Sequence, residues 1–345
     1  MAGTGPPYFH VIPSAMQFSL IIPLYNRPDE IRELLDSLCL QSDAGFEVVV
    51  VEDGSDIRSE DIVTSFAGRL DVKYHEKPNS GPGQSRNHGA ERAAGDYFIF
   101  LDSDCIIPPD YVRSVRHFLQ TQPVDAFGGP DRADDSFTPI QKAINYSMTA
   151  LFTTGGIRGN ATSVEKFHPR SFNMGYTREV FHSTGGFAKM RFGEDIDMSI
   201  RMMNAGFSTA LIPDAFVYHK RRSTFRQFFK QVHNSGIARI NLFKRHPKSL
   251  KLAHFFPAAF TLGLVAATAL AVLGIPWLAA LYGVYFTAIL IQATWQYQSL
   301  SIGGLSVVAS AIQLTSYGLG FIKAVWRRVV LGRGEFAAFE KNFYK

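Results

Sequence analysis

Two acidic pairs carry most of the chemistry this chain can offer: Asp102-Ser103-Asp104 and Glu194-Asp195. The first follows the apolar run Tyr97-Phe98-Ile99-Phe100-Leu101, which reads as a buried strand. Residues two apart on an extended segment share a face, and hard divalent cations take oxygen ligands. Asp102 and Asp104 are therefore candidates to hold Mg2+ or Mn2+ against a diphosphate. One would touch the metal and the other metal-bound water or a ribose. A nucleoside diphosphate leaving group gains negative charge as its bond to a sugar breaks, and such a cation offsets that charge. Glu194-Asp195 opens an expected helix that Gly206 stops. A carboxylate there can act as a general base, although acids also stabilise a helix start through the macrodipole alone. Asp197 and Arg201, four apart, read as a structural pair.

The elements that must position these groups alternate. Strands are expected at 18–25, 47–51, 72–75 and 97–101, and helices at 29–40, 57–68 and 84–94. The helix at 29–40 has apolar residues at Ile31, Leu34, Leu35 and Leu38, a helical period. Strands that are continuous apolar runs separated by helices imply an α/β fold with a mostly parallel sheet, covered on both faces. Ligands bind beyond the carboxyl ends of such strands, where Asn26, Asp53, Asp102 and Asp104 fall.

In this order the segments resemble glycosyltransferase family 2, over about residues 18–245. The stretch Ser19 to Arg27, containing Pro23, Tyr25 and Asn26, is similar to that family's first strand and nucleotide loop. Glu52-Asp53-Gly54-Ser55 resembles its base-binding turn, with Asp53 on the nucleobase. The segment Gly81 to Gly89 resembles its Gly-x-x-x-Ala-Arg-Asn-x-Gly motif, with Ser85 for Ala and Arg86 in place. Phe100 to Asp104 matches its metal motif, with Cys105 where a further acid is frequent. Phe172 to Tyr176 and Gly185-Gly186-Phe187 look like acceptor-side segments, and Gly193-Glu194-Asp195 matches its catalytic acid pair. The resemblance implies a GT-A type Rossmann-like sheet and inverting transfer from a nucleotide-sugar donor. Asp195 would be the base, and Glu194 would orient the acceptor or the diphosphate side. It also implies a histidine near His219 that completes the metal site or meets the diphosphate.

Charge divides the chain. Residues 1–214 hold 28 acids and 19 Lys/Arg, net −9, while residues 215–345 hold 16 Lys/Arg and 2 acids, net +14. From Leu252 to Ile322 no Lys, Arg, Asp or Glu occurs, enough for about three spans of ~20 residues. Lys220 to Lys251 contains ten Lys/Arg and no acid. Within it, Phe225, Phe228, Phe229, Val232, Gly236, Ile240 and Phe243 share a helical face, the pattern of an interfacial helix on anionic lipid or of a helix packed on protein.

The expected organisation is a disordered extension over 1–15, a catalytic domain over 16–222 and a basic interfacial helix over 223–251. A C-terminal α-helical membrane region over 252–325 and a basic tail over 326–345 follow. The expected location is the inner (cytoplasmic) membrane, multi-pass, with the catalytic domain cytoplasmic. Partners would be the nucleotide-sugar donor, a lipid-linked or saccharide acceptor and membrane lipids, with no nucleic acid. Three crossings cannot leave both the basic tract and the tail residues Lys323, Arg327, Arg328 and Arg333 on one side: either one segment is re-entrant or interfacial, or the tail breaks the positive-inside rule. A processive polysaccharide synthase is disfavoured by the few spans. A non-catalytic scaffold is disfavoured by intact Asp53, Asp102, Asp104 and Asp195.

Overall fold

The computed structural model describes residues 16–132, 137–154 and 168–336. The expected extension over 1–15 and the end of the tail, 337–345, lie outside the described residues. In chain order the first elements are β1 (Phe18–Leu24), α1 (Pro28–Leu38), β2 (Phe46–Glu52), α2 (Glu60–Thr64), β3 (Val72–Glu76), α3 (Pro82–Ala90), β4 (Tyr97–Leu101), β5 (Cys105–Ile106), α4 (Tyr111–Thr121), β6 (Ala126–Gly128) and β7 (Asp131–Arg132). Then come α5 (Pro139–Thr149), α6 (Leu151–Thr154), β8 (Asn173–Thr177), α7 (Arg178–Thr184), α8 (Glu194–Asn204), β9 (Thr209–Leu211) and β10 (Val217–His219). The chain ends with α9 (Phe225–Arg245), α10 (Phe256–Val272), α11 (Trp277–Tyr297) and α12 (Leu300–Ala324).

The chain forms two compact units. The first comprises the described residues within Met1–Asp131, Glu165–Ala188 and Met198–Tyr218; the second comprises those within Arg132–Val164, Lys189–Asp197 and His219–Lys345.

In the first unit a sheet runs in the order β3-β2-β1-β4-β8-β6-β9, seven strands among the described residues. β1 pairs in parallel with β2 and β4, β2 with β3, and β6 with β9, while β8 runs antiparallel to β4 and β6. Period-two alternation sorts each strand's side chains into two buried layers. Phe18, Leu20 and Ile22 join Val48, Val50, Ile99 and Leu101 beneath α1 and α4. Ile21, Val49, Val51, Phe98 and Phe100 face the other way, onto Val180, Phe181, Met198 and Met202. Both faces are covered, so the strands read as unbroken apolar runs.

The expected helix over 57–68 is confined to α2, Glu60–Thr64. Upstream, Ser59 N–H donates to the buried Glu52 at 3.0 Å, which holds the chain in a loop. β8, read from sequence only as an acceptor-side segment, is an inner strand of the sheet.

The second unit is helical. α12 packs along α5 and α9, where Ala143, Ile144 and Met148 meet Phe228, Val232 and Ala309. Further along, Ile237 and Ile240 meet Phe321 and Ala324. The approach is close: a Cβ built on Gly236 would lie 2.3 Å from the Tyr317 carbonyl oxygen, so only glycine fits. The apolar face expected of the 223–251 segment is thus largely covered by α12 and α5, while Phe229 is exposed and stacks on His233. Among the described residues, three helical stretches are long and apolar enough to cross a membrane: Leu252–Val272, Trp277–Tyr297 and Leu300–Val330.

Candidate active site

The sheet order places β1 beside β4, with β2 and β3 on the far side of β1. Strand order reverses there, and open α/β sheets bind ligands at such a point. The carboxyl ends of β1, β2 and β4 carry the residues expected from sequence.

Pro23 is buried in β1, opposite Val51. The ladder from β1 to β4 ends at Ile21↔Phe100, so the missing N–H of Pro23 interrupts no bond on that side. Tyr25 is half-buried. Asn26 adopts φ +51, a left-handed conformation that asparagine tolerates better than most residues. Its N–H donates to Ser55 Oγ at 2.7 Å, and its Oδ1 accepts from Ile57 N–H at 3.0 Å. The loops after β1 and β2 are thereby tied together.

Asp53, at the end of β2, is 1% exposed. Its carboxylate accepts the N–H groups of Ser80 and Gly81, each at 2.9 Å, and pairs with Lys77. The Asn79 amide donates to its carbonyl at 2.9 Å. The residue assigned by resemblance to a nucleobase therefore organises the loop that starts α3. Beside it, burial holds the Glu52 carboxyl above the usual range, against hydrogen bonds from Ser55, Ser59 and Tyr74.

From α3, the Arg86 guanidinium donates to Asp102 Oδ1 at 2.6 Å and lies 5.4 Å from the centroid of the Phe187 ring. Asn87 accepts the Phe187 N–H and donates to its carbonyl, both at 2.8 Å. Asp104 pairs with Arg27. Burial works against the charge of Arg27, but Asp104 and then Asp102 outweigh it, so its pKa is raised.

Asp104 and Cys105 follow the carboxyl end of β4, in the first unit. His219 ends β10 and opens the last segment of the second unit. Burial pushes the Cys105 thiol well above its ordinary pKa, and Asp104 and Asp102 add to the effect. Sulfur is a soft donor and matches a hard cation poorly. Carboxylates suit Mn2+ or Mg2+ better, so Asp102 and Asp104 fit such an ion and Cys105 does not.

Glu194 and Asp195 form the first turn of α8. Glu194 is 7% exposed, and Asp195 Oδ1 accepts its neighbour's N–H at 2.8 Å. Asp197 meets His246 Nε2 at 2.9 Å, and Arg201 donates to the carbonyls of Thr184 and Gly186, each at 2.7 Å. Sequence reasoning missed Arg27 and Lys77 as partners of the site carboxylates. Arg27 directly follows the recognised loop, and Lys77 is one of few bases near 53. It also missed Phe187 as the ring beside Arg86.

Comparison with known proteins accords with this geometry. The description Glycosyl transferase family 2 matches residues 19–185, a stretch that ends before Glu194, Asp195 and His219. An uncharacterized glycosyltransferase of Haemophilus influenzae is 36% identical over 218 residues, 60% of this chain and 70% of that protein. One from Rickettsia felis is 32% identical over 102 residues, 30% of this chain but 17% of its own length. In fold, the chain is similar to a mannosyltransferase from Pyrobaculum calidifontis solved with GDP-Man and Mn2+, with a TM-score of 0.61 and 19% identity, covering 90% of this chain and 87% of that one. A parallel sheet edge bearing Asp102 and Asp104, the ordered motifs along it and a relative matched over most of its length agree: the chain belongs to glycosyltransferase family 2.

Proposed function

We propose that this protein transfers a sugar, with inversion, from a nucleotide-sugar donor to a lipid-linked or polysaccharide acceptor at the cytoplasmic face of the inner membrane. The observation that carries the reading is the placement of Asp104 beside an Asp102 held by Arg86, after the carboxyl end of β4. In this reading the loops bearing Pro23, Tyr25, Asn26 and Asp53 receive the nucleotide. Arg86 keeps Asp102 oriented toward donor or ion. Asp102, Asp104 and His219 would hold Mg2+ or Mn2+, which when bound neutralises charge developing on the departing diphosphate. Asp195 accepts the proton of the acceptor hydroxyl as that oxygen attacks the anomeric carbon, and Glu194 orients the acceptor. Direct displacement needs no nucleophile from the protein.

The helical unit supports membrane attachment. Basic residues before α10 and after α12 belong on the same, cytoplasmic side, which requires an even number of crossings. α10 and α11, joined at Gly274-Ile275-Pro276, supply two. α12 is the most enclosed of the three, with Ala309, Leu314, Phe321 and Ala324 among its buried residues. We therefore assign α12 to the cytoplasmic interface, alongside α9.

The test is a panel of UDP- and GDP-sugars offered to the full-length protein in native membranes, with Mn2+, Mg2+ or EDTA. Metal-dependent consumption of one donor, with a product of opposite anomeric configuration, supports the reading. Donor consumption undiminished in EDTA removes the metal from it. No consumption of any donor favours a non-catalytic scaffold.

A further inference from the structure

The segment that carries the acid pair belongs to the helical unit. Lys189–Asp197 clusters with His219–Lys345, whereas Met198–Tyr218, the rest of α8 included, clusters with the sheet. The attachment has three parts. Phe192 packs in the cluster of Ile237, Ile240, Ala258 and Phe321. Gly193 turns into α8 with φ +86, and a Cβ there would come 3.1 Å from Leu242 and 3.8 Å from Ala238, both on α9. One helical turn on, Asp197 is 2% exposed and its carboxylate meets Nε2 of His246, the residue that ends α9, at 2.9 Å.

A carboxylate so buried is stable only when its oxygens are matched by donors, so this bond restricts where the first turn of α8 can lie. Asp195 is in that turn. We propose that His246 is a positioning residue: through Asp197 it sets the first turn of α8, and so Asp195, from the end of the helix that leads into the membrane segments. The inference rests on the assignment of Asp195 as base. It makes the basic tract a support for the acid pair as well as a lipid-facing element.

The test uses the full-length protein in detergent micelles and three variants. His246→Leu keeps apolar bulk but offers no N–H. His246→Gln offers an N–H on a side chain of similar reach. Asp195→Asn is the control for the underlying assignment. Hydrogen–deuterium exchange requires no substrate. In His246→Leu, peptides spanning 192–204 should exchange about fivefold faster or more, while peptides of β1, β2 and β4 should stay unchanged, since local opening need not reach the global core. With the nucleotide sugar selected by the panel, kcat should fall about tenfold or more, the scale of a small misplacement of a reacting group, while donor KM stays within about twofold. His246→Gln should recover most of both.

Unchanged exchange over 192–204 in His246→Leu overturns the proposal. So does a matching loss in β1 and β4, or a Gln variant no better than Leu. If Asp195→Asn turns over normally, the base assignment falls, and with it the proposed effect on catalysis. Normal turnover in His246→Leu alongside an inactive Asp195→Asn overturns the positioning role alone.

Discussion

Arg86 and Asp102 are joined by a charge-assisted hydrogen bond of 2.6 Å that links α3 to the carboxyl end of β4. The arginine side chain is 3% exposed and the carboxylate 30%, so the pair has one buried end and one open to ligand. Arg86→Leu is expected to abolish detectable transfer and to destabilise the sheet unit by about 2 kcal/mol, the scale of a hydrogen bond to a charged group. Urea unfolding followed by intrinsic fluorescence checks the second figure. A variant as stable and as active as the parent refutes the assignment.

The metal reading separates neighbours. Asp104→Ala should abolish transfer and the Mn2+-dependent part of nucleotide binding. Cys105→Ser, one residue on, should leave nucleotide binding within about twofold, because soft sulfur contributes little to a hard cation. Titration of UDP and GDP by calorimetry, with and without Mn2+, measures both. Loss of binding in Cys105→Ser would put sulfur into the ligand set.

Asp195→Asn is nearly isosteric and cannot take the acceptor's proton. Turnover should fall by about two orders of magnitude or more, with nucleotide binding preserved. Near-normal turnover would return Asp195 to an ordinary helix-start acid.

Acid sensitivity should have an address at Glu47. Its buried carboxylate bridges Ser19 Oγ at 2.6 Å, Lys73 Nζ at 2.5 Å and the N–H of Ala94. Burial alone would raise its pKa, but those hydrogen bonds, Lys73 first, outweigh it and leave the pKa below the usual carboxylate range. A folded-state pKa below the unfolded value gives stability that is present above the unfolded value and lost as pH falls through the folded one. Glu47→Gln should therefore be less stable at neutral pH and lose less on acidification. Urea midpoints between pH 7 and pH 3 read this directly, and parallel curves for parent and variant would contradict it.

Membrane topology offers an independent check. In a background with Cys39 and Cys105 replaced by serine, a cysteine at Ile275 should react with an impermeant maleimide only from the outer face. A cysteine at Arg333 should react only from the cytoplasmic face. Opposite-side labelling of 333 and the 220–251 tract would mean three crossings and refute the interfacial assignment of α12.

The strands of the sheet unit were legible because residues such as Val48 to Val51 are buried on both faces, which leaves no polar positions to blur the run. β8 was not legible as a strand. Asn173 and Gly175 look like loop residues, yet the Asn173 amide donates to the Ala215 carbonyl at 2.7 Å and its Oδ1 accepts the Tyr111 hydroxyl at 2.6 Å. Partners so distant in sequence leave no local signal. The pairing of Arg27 with Asp104 is hidden for the same reason, although each residue lies in a recognisable motif. For α12, composition could not distinguish a helix covered by lipid from one covered by protein, because Leu305, Ala309 and Phe321 suit either neighbour. Asp53 stood out by motif, but its work in ordering the loop through Ser80 and Gly81 is visible only in three dimensions.

The enclosure of α5 by α12 bears on how the chain is made. Ala143, Ile144 and Met148 are buried together with Ala309, a residue that leaves the ribosome long after them. At roughly 5–20 residues per second, α5 waits on the order of 10 to 30 seconds for its last neighbour. During that interval its apolar side is open to the bilayer surface, to chaperones or to another nascent copy. The basic residues of α9 emerge midway through it, so an early hold on anionic lipid by that helix would keep α5 beside the membrane until α12 arrives.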